Sequence, residues 1–123
     1  GELLSAVGKI EWVEAEDMLN AVTAVSGGGP AYVFLLAECL AEAARVAGLP
    51  ADLAMRLARE TVSGSGELAR LSDESAAQLR QNVTSPKGTT LEAWNVLMAP
   101  EGLQPLMTKA IAAATRRSRE LAQ

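Results

Sequence analysis

Apolar positions recur through most of this chain at the spacing of one face of an α-helix, and only one short run departs from it. That run is Lys9-Ile10-Glu11-Trp12-Val13, which reads as a short strand followed by an acidic turn. Everything after Pro30 reads as helix and loop. A first long helix is predicted over 30–47, stopped by Gly48-Leu49-Pro50. The next starts at Pro50 or Ala51 and runs to about Arg70, interrupted by Gly64-Ser65-Gly66. Helix propensity alone would not choose glycine there, so the interruption marks either a kink or a close helix–helix approach. A short helix over 74–81 follows Ser72-Asp73. Another begins at Thr89 or Thr90 and fades by Ala99-Pro100. The last covers 104–121, with Arg116, Arg117 and Arg119 near its C-terminal end, where the helix dipole favours cations. The expected fold class is all-α, a helical bundle, without internal repeats or low-complexity tracts.

The faces of two helices add a second expectation. Over 30–47 the charged residues are Glu38, Glu42 and Arg45, which fall on one narrow stripe at about 100° per residue. The rest of the circumference is Ala, Leu, Val, Phe, Cys and Tyr. A helix that is apolar nearly all round is buried, and so small a domain has difficulty surrounding one unaided. The simplest remedy is a second copy of the chain, so the bundle is expected to interlock as a homodimer. Cys39, between Leu36 and Leu40, reads as a buried and inert thiol, with no cation or base adjacent in sequence to activate it. In the next helix Asp52, Arg56, Arg59, Glu60, Ser63, Glu67 and Arg70 share one face, opposite Leu53, Ala54, Leu57, Ala58, Thr61 and Val62.

Composition narrows the function classes. A length of 123 residues suits one domain with a core of modest size, and 49% hydrophobic content excludes disorder. A net charge of −4 argues against a nucleic-acid surface. No apolar run reads as long enough to cross a bilayer, and no signal peptide is apparent, so neither nucleic acid nor membrane is an expected partner. One cysteine excludes an internal disulfide, which fits a reducing, cytoplasmic setting. The absence of histidine removes Ser-His-Asp and Cys-His catalysis, together with the commonest metal ligand. No metal site is expected.

Two segments carry candidate chemistry. Asn82 to Glu92 packs a proline, a glycine and the hydroxyls of Thr84, Ser85, Thr89 and Thr90 into a loop that runs into a helix. Thr89 and Glu92 fit the capping-box pattern. Gly88 permits close approach of a ligand to the backbone, and the positive end of the helix favours an anion such as a carboxylate or a phosphate. The same loop also fits a well-capped turn with no ligand. Ser26-Gly27-Gly28-Gly29-Pro30 is a second glycine-rich lead-in to a helix, with Pro30 suited to the first helical position.

Together, in this order and spacing, the two segments resemble the C-terminal, dimerising and substrate-binding domain of pyrroline-5-carboxylate reductase. The family's Ala-Val-Ser-Gly-x-Gly-Pro-Ala-Tyr-Val-Phe stretch is matched by Ala24 to Phe34, and its Val-Thr-Ser-Pro-x-Gly-Thr-Thr by Val83 to Thr90. A Gly-Leu-Pro turn at Gly48 to Pro50 and a final Arg-Ser-Arg-Glu-Leu at Arg117 to Leu121 complete a resemblance that runs from about Val7 onward. Two positions depart from it: Gly28 stands where the family often has Ser, and Lys87 where it often has Gly. Lys87 reads as a solvated lysine, because lysine heads usually stay in water.

The resemblance implies an enzyme that reduces 1-pyrroline-5-carboxylate to L-proline with hydride from NADPH or NADH, the cofactor carrying the hard chemistry. Ser85, Gly88 and Thr89 would donate to the substrate carboxylate. Thr90 would stand beside the ring nitrogen as the catalytic residue. A purely structural role is the alternative for each: Thr89 as a cap, Thr90 as part of the first turn. The family's active site is completed at the interface of an interlocked homodimer, and higher homo-oligomers fit as well. Gly27-Gly28-Gly29 lacks both the spacing and the strand–helix setting of a dinucleotide site. Residues 1–20 therefore read as the end of a preceding dinucleotide-binding domain with its linker, and residues 21–123 as the helical domain. The isolated chain is expected to bind no cofactor and to lack turnover. Two rivals remain open from the sequence: a helical module of a related imine or keto reductase, and a self-association module without a ligand site.

Overall fold

The helices of this chain are set by its punctuation, and the computed structural model shows where each begins and ends; it describes residues 12–85 and 87–122, with side chains from residue 15. In chain order they are α1 (Trp12–Val22), a π-helical turn (Thr23–Gly27), α2 (Gly29–Val46), α3 (Ala51–Leu71), α4 (Ala76–Asn82), α5 (Thr89–Leu97) and α6 (Leu103–Leu121). No strand occurs among the described residues. The all-α expectation therefore holds, with one local correction. Lys9 to Glu11 of the expected strand lie outside the described residues, but Trp12 and Val13 belong to α1, as do the acidic residues of the expected turn. The apolar residues of α1 recur at helical spacing, and that periodicity prevails over a short β-prone run.

The chain divides into two compact units. One gathers the described residues up to Pro30 with those from Leu97 onward; the other is Ala31–Val96. In the first unit α1 and the π turn pack on α6, burying Ala15 and Ala24. Arg119 closes on Asp17 at 2.6 Å, and the Ser118 hydroxyl donates to Oδ1 of Asn20 at 2.9 Å. The α6 arginines thus do more than face the helix dipole, since Arg119 ties α6 to α1. The turn before α6 has no room for a side chain at Gly102, where a Cβ would stand 2.1 Å from the Leu97 carbonyl oxygen.

The glycine-rich lead-in is not a loop. Gly28 N–H donates to the Thr23 carbonyl at 3.2 Å, the wide spacing of a π turn, and α2 already begins at Gly29. Three glycines in a row weaken α-helical winding. Pro30, the second rather than the first helical residue, brings no N–H to the ladder. The Thr23 and Ser26 hydroxyls donate back to the Leu19 and Val22 carbonyls.

In the second unit α2 and α3 form an antiparallel pair joined by a turn of Schellman type. Gly48 sits at φ +115°, its N–H on the Arg45 carbonyl and the Leu49 N–H on that of Ala44. Only glycine takes that conformation without strain. The packed seam between the helices is Ala37, Ala41, Ala54 and Ala58, flanked by Ala44 and Val62. No larger side chain is fully buried among the described residues. Phe34 is 67% exposed, and Val33, Leu35, Leu36 and Leu40 are exposed with it. Cys39 is exposed too, which corrects the expectation of a buried thiol. The cause is common to all: this face has no cover within one copy.

The α3 glycines also depart from expectation. Gly64 and Gly66 lie inside an uninterrupted helix, and a Cβ on either would meet nothing within 4 Å. A further correction concerns length. The helical run Ala15–Val46 is long and apolar enough, by length and composition, to cross a bilayer. Such a helix is satisfied equally by lipid or by other protein.

Candidate functional site

The helix that leads into the candidate loop, α4, is well made at both ends. Ser75 caps α4, its Oγ accepting from the Gln78 N–H at 3.0 Å. At the other end of α4, Thr84 N–H donates to the Gln81 carbonyl and Thr84 Oγ1 to that of Arg80 at 2.7 Å. The chain then reverses. Gly88 N–H donates to the Ser85 carbonyl at 3.0 Å, and Leu91 N–H to that of Gly88 at 3.2 Å. A Cβ at Gly88 would come within 3.0 Å of the Ser85 Cβ. The glycine is needed here because Ser85 lies directly against it. Residues 85 and 88 are thereby brought together.

Thr89 is exposed and is the first residue of α5; Thr90, next to it in the first turn, is half-buried. The capping box expected of Thr89 and Glu92 does not form: neither side chain has a hydrogen bond among the described residues. A cap must precede the first helical residue, and that place belongs to Gly88. Glu92 remains in the first turn, where the helix dipole favours a carboxylate. Ser85 is exposed, as is Lys87, in keeping with a solvated lysine.

The hydroxyls of the loop are not equivalent. A hydroxyl carries one proton, and that of Thr84 is committed to the Arg80 carbonyl. Ser85, Thr89 and Thr90 donate to no described partner. At the start of a helix, with its positive dipole end and first-turn N–H groups, such donors suit a small anion. The Thr84 oxygen also accepts from Nε1 of Trp94 at 2.8 Å, and the Arg80 guanidinium lies over the Trp94 ring, 5.8 Å from its centre. Sequence motifs did not announce Trp94 or Arg80. The one available signal was that a half-buried indole N–H needs a partner.

No group of metal-ligating side chains exists among the described residues. Gly64-Ser65-Gly66-Glu67-Leu68-Ala69 has the letters of a dinucleotide fingerprint, yet it lies inside α3 rather than between a strand and a helix. Its backbone N–H groups are taken by the helix, so it cannot cradle a pyrophosphate.

Comparison with known proteins fits this geometry. The model of a family described as pyrroline-5-carboxylate reductase dimerisation matches residues 16–121. The chain belongs to that family. The pyrroline-5-carboxylate reductase of Pseudomonas aeruginosa is 45% identical over 123 residues, and that of Pisum sativum 42% over 120. The match takes in 100% and 98% of this chain but 45% and 43% of those proteins, so the chain spans less than half the length of these curated relatives. Among solved structures, a pyrroline-5-carboxylate reductase from Coxiella burnetii superposes with a TM-score of 0.80 at 45% identity, covering 86% of this chain and 39% of that one. The Plasmodium falciparum enzyme, described as having NADP bound, gives 0.80 at 33% identity, covering 88% of this chain and 41% of its own.

Proposed function

We propose that this chain is the dimerising and substrate-holding part of an enzyme that reduces 1-pyrroline-5-carboxylate to L-proline with NADPH or NADH. The observation that carries the reading is the family match over 16–121, which includes the loop from Val83 to Thr90 with its uncommitted hydroxyls. In the reaction, hydride adds to the carbon of the protonated C=N bond. A bound nicotinamide would supply that hydride and be oxidised, and the ring nitrogen would keep its proton as an amine. Ser85, Gly88 and Thr89 hold the carboxylate through hydroxyl and backbone N–H donors. Thr90, half-buried one residue further along, donates to or accepts from the ring nitrogen as its charge changes.

The nicotinamide is assigned to another part of the full-length protein, since a dinucleotide cradle is built on a strand-to-helix turn and the described residues here are helices and their connections. NADP on the Plasmodium falciparum relative supports that cofactor class. The helical domain includes α1, which packs on α6, so the expected boundary at residue 20 moves to before that helix, and the end of a preceding dinucleotide-binding domain with its linker would lie ahead of it. The exposed apolar face of α2 is covered by a second copy, giving a homodimer or a higher homo-oligomer in the cytoplasm. The polar stripe of Glu38, Glu42 and Arg45 along that helix speaks for a protein environment over lipid.

The test is nicotinamide oxidation with pyrroline-5-carboxylate, measured on the full-length protein and on this chain alone. Turnover by the first and none by the second is expected. An inactive full-length protein, or activity that stays with the purified chain, would overturn the reading.

A further inference from the structure

Three groups tie the α4–α5 hairpin shut across the candidate loop. Trp94, on α5, donates Nε1–H to Thr84 Oγ1 at 2.8 Å, and that hydroxyl donates to the Arg80 carbonyl of α4 at 2.7 Å. The Arg80 guanidinium covers the indole ring. Thr84, Arg80 and Trp94 are all half-buried, unlike Ser85 and Thr89. Between those anchored points lie Ser85, Thr89 and Thr90, the hydroxyls of this loop that donate to no described partner.

We propose that Trp94 is a positioning residue: acting through Thr84, its indole N–H holds Ser85, Gly88, Thr89 and Thr90 in the arrangement that receives the substrate carboxylate. The inference rests on the function proposed above. Its physical basis is preorganisation. A loop that is already ordered loses less freedom when the ligand binds, and a half-buried indole N–H or threonine oxygen left unpaired loosens the contact. Trp94 is bonded to Thr84 and not to the loop donors themselves, so its loss should weaken substrate capture and leave the hydride step nearly untouched. Thr84 is excluded as a carboxylate donor, since its only proton is engaged.

The experiment uses the full-length protein with Trp94→Phe, Thr84→Val and Thr84→Ser. Phenylalanine keeps a ring for Arg80 but no donor, valine removes the hydroxyl, and serine restores it. Amide hydrogen exchange over 83–91 should quicken severalfold in Trp94→Phe and Thr84→Val, with circular dichroism unchanged, and should return to the parent rate in Thr84→Ser. The KM for pyrroline-5-carboxylate should rise about fivefold in the first two, the size of one neutral hydrogen bond, with kcat within about twofold. Unchanged exchange in both variants would overturn the tie. Faster exchange with an unchanged KM, or a fall in kcat alone, would overturn the positioning role. A parent protein without turnover would instead remove the function proposed above, and the exchange rates would still decide whether Trp94 orders the loop.

Discussion

The α2–α3 hairpin and the α4–α5 hairpin lie in the same unit and are finished in opposite ways. Between α2 and α3 the seam is alanine, and the large apolar side chains of α2 point away from it into the open. Between α4 and α5 the closure is polar and local: Trp94 to Thr84, Thr84 to Arg80, Gly88 to Ser85. The second hairpin has its loop closed by hydrogen bonds within one copy, although Val83, Leu91 and Val96 beside it stay exposed. A hairpin that leaves Phe34, Leu36 and Leu40 uncovered is half of something, because a contiguous exposed apolar surface marks an interaction site.

The largest effect should come from a charge on the open face. In a lone chain, Leu36→Asp or Leu40→Asp would alter an exposed position by no more than about 0.5 kcal/mol. In a dimer that covers the face, either would cost several kcal/mol by burying an unpaired carboxylate. Light scattering should show a dimer for the parent and dissociation for the variants. A parent that is monomeric at micromolar concentration, with its helical circular dichroism intact, would break the contrast between the hairpins.

The next effect belongs to the closed hairpin. In the full-length protein Thr90→Ala should lose about 1–3 kcal/mol of transition-state stabilisation, roughly tenfold to a hundredfold in kcat/KM. Thr108→Ala, on α6, where the hydroxyl only accepts from Gln104 at 3.1 Å, should change little. Equal activity in both variants would leave Thr90 without a role. Gly88→Ala is gentler. Its methyl would press on Ser85 at 3.0 Å, and a KM shift of roughly twofold to fivefold is expected, with a small fall in melting temperature because glycine serves better than alanine at the position before a helix.

The smallest effect lies on the polar stripe of α2. The Arg45 guanidinium, bonded to the Glu42 carboxylate at 2.6 Å, holds Glu42 below the usual glutamate range. A lowered carboxyl pKa contributes stability above its unfolded value and loses it as pH falls through the folded one. Both side chains are exposed, so the loss on acidification should be slight, absent in Glu42→Gln and weaker in salt. An acid transition that persists unchanged in Glu42→Gln would assign it to another group.

Much of this was legible in the residues. Gly48-Leu49-Pro50 announced the α2–α3 turn because a positive-φ residue followed by proline has few other meanings. The all-apolar girth of α2 announced a face in need of cover. What could not be read was geometry that depends on winding. Whether the glycine-rich lead-in starts a helix afresh or follows a π turn over 23–27 depends on backbone winding, marked here by the Gly28 N–H on the Thr23 carbonyl. Whether Thr89 caps α5 or begins it turns on a single residue of register. Trp94 meets Thr84 only because a reversal brings two helices together, and no spacing rule links positions that far apart. The glycines of α3 stand in open space within one chain, and the structure gives no account of them.

The alanine seam has a calorimetric consequence. Heat capacity and denaturant sensitivity of unfolding both scale with the apolar surface released. A single copy whose buried residues are Ala37, Ala41, Ala54 and Ala58 at this seam and Ala15 and Ala24 in the other unit has little to release. Under the proposed pairing, most of both quantities would arise from separating the copies. The melting temperature would then rise with protein concentration, as it does whenever the folded state is also the associated one.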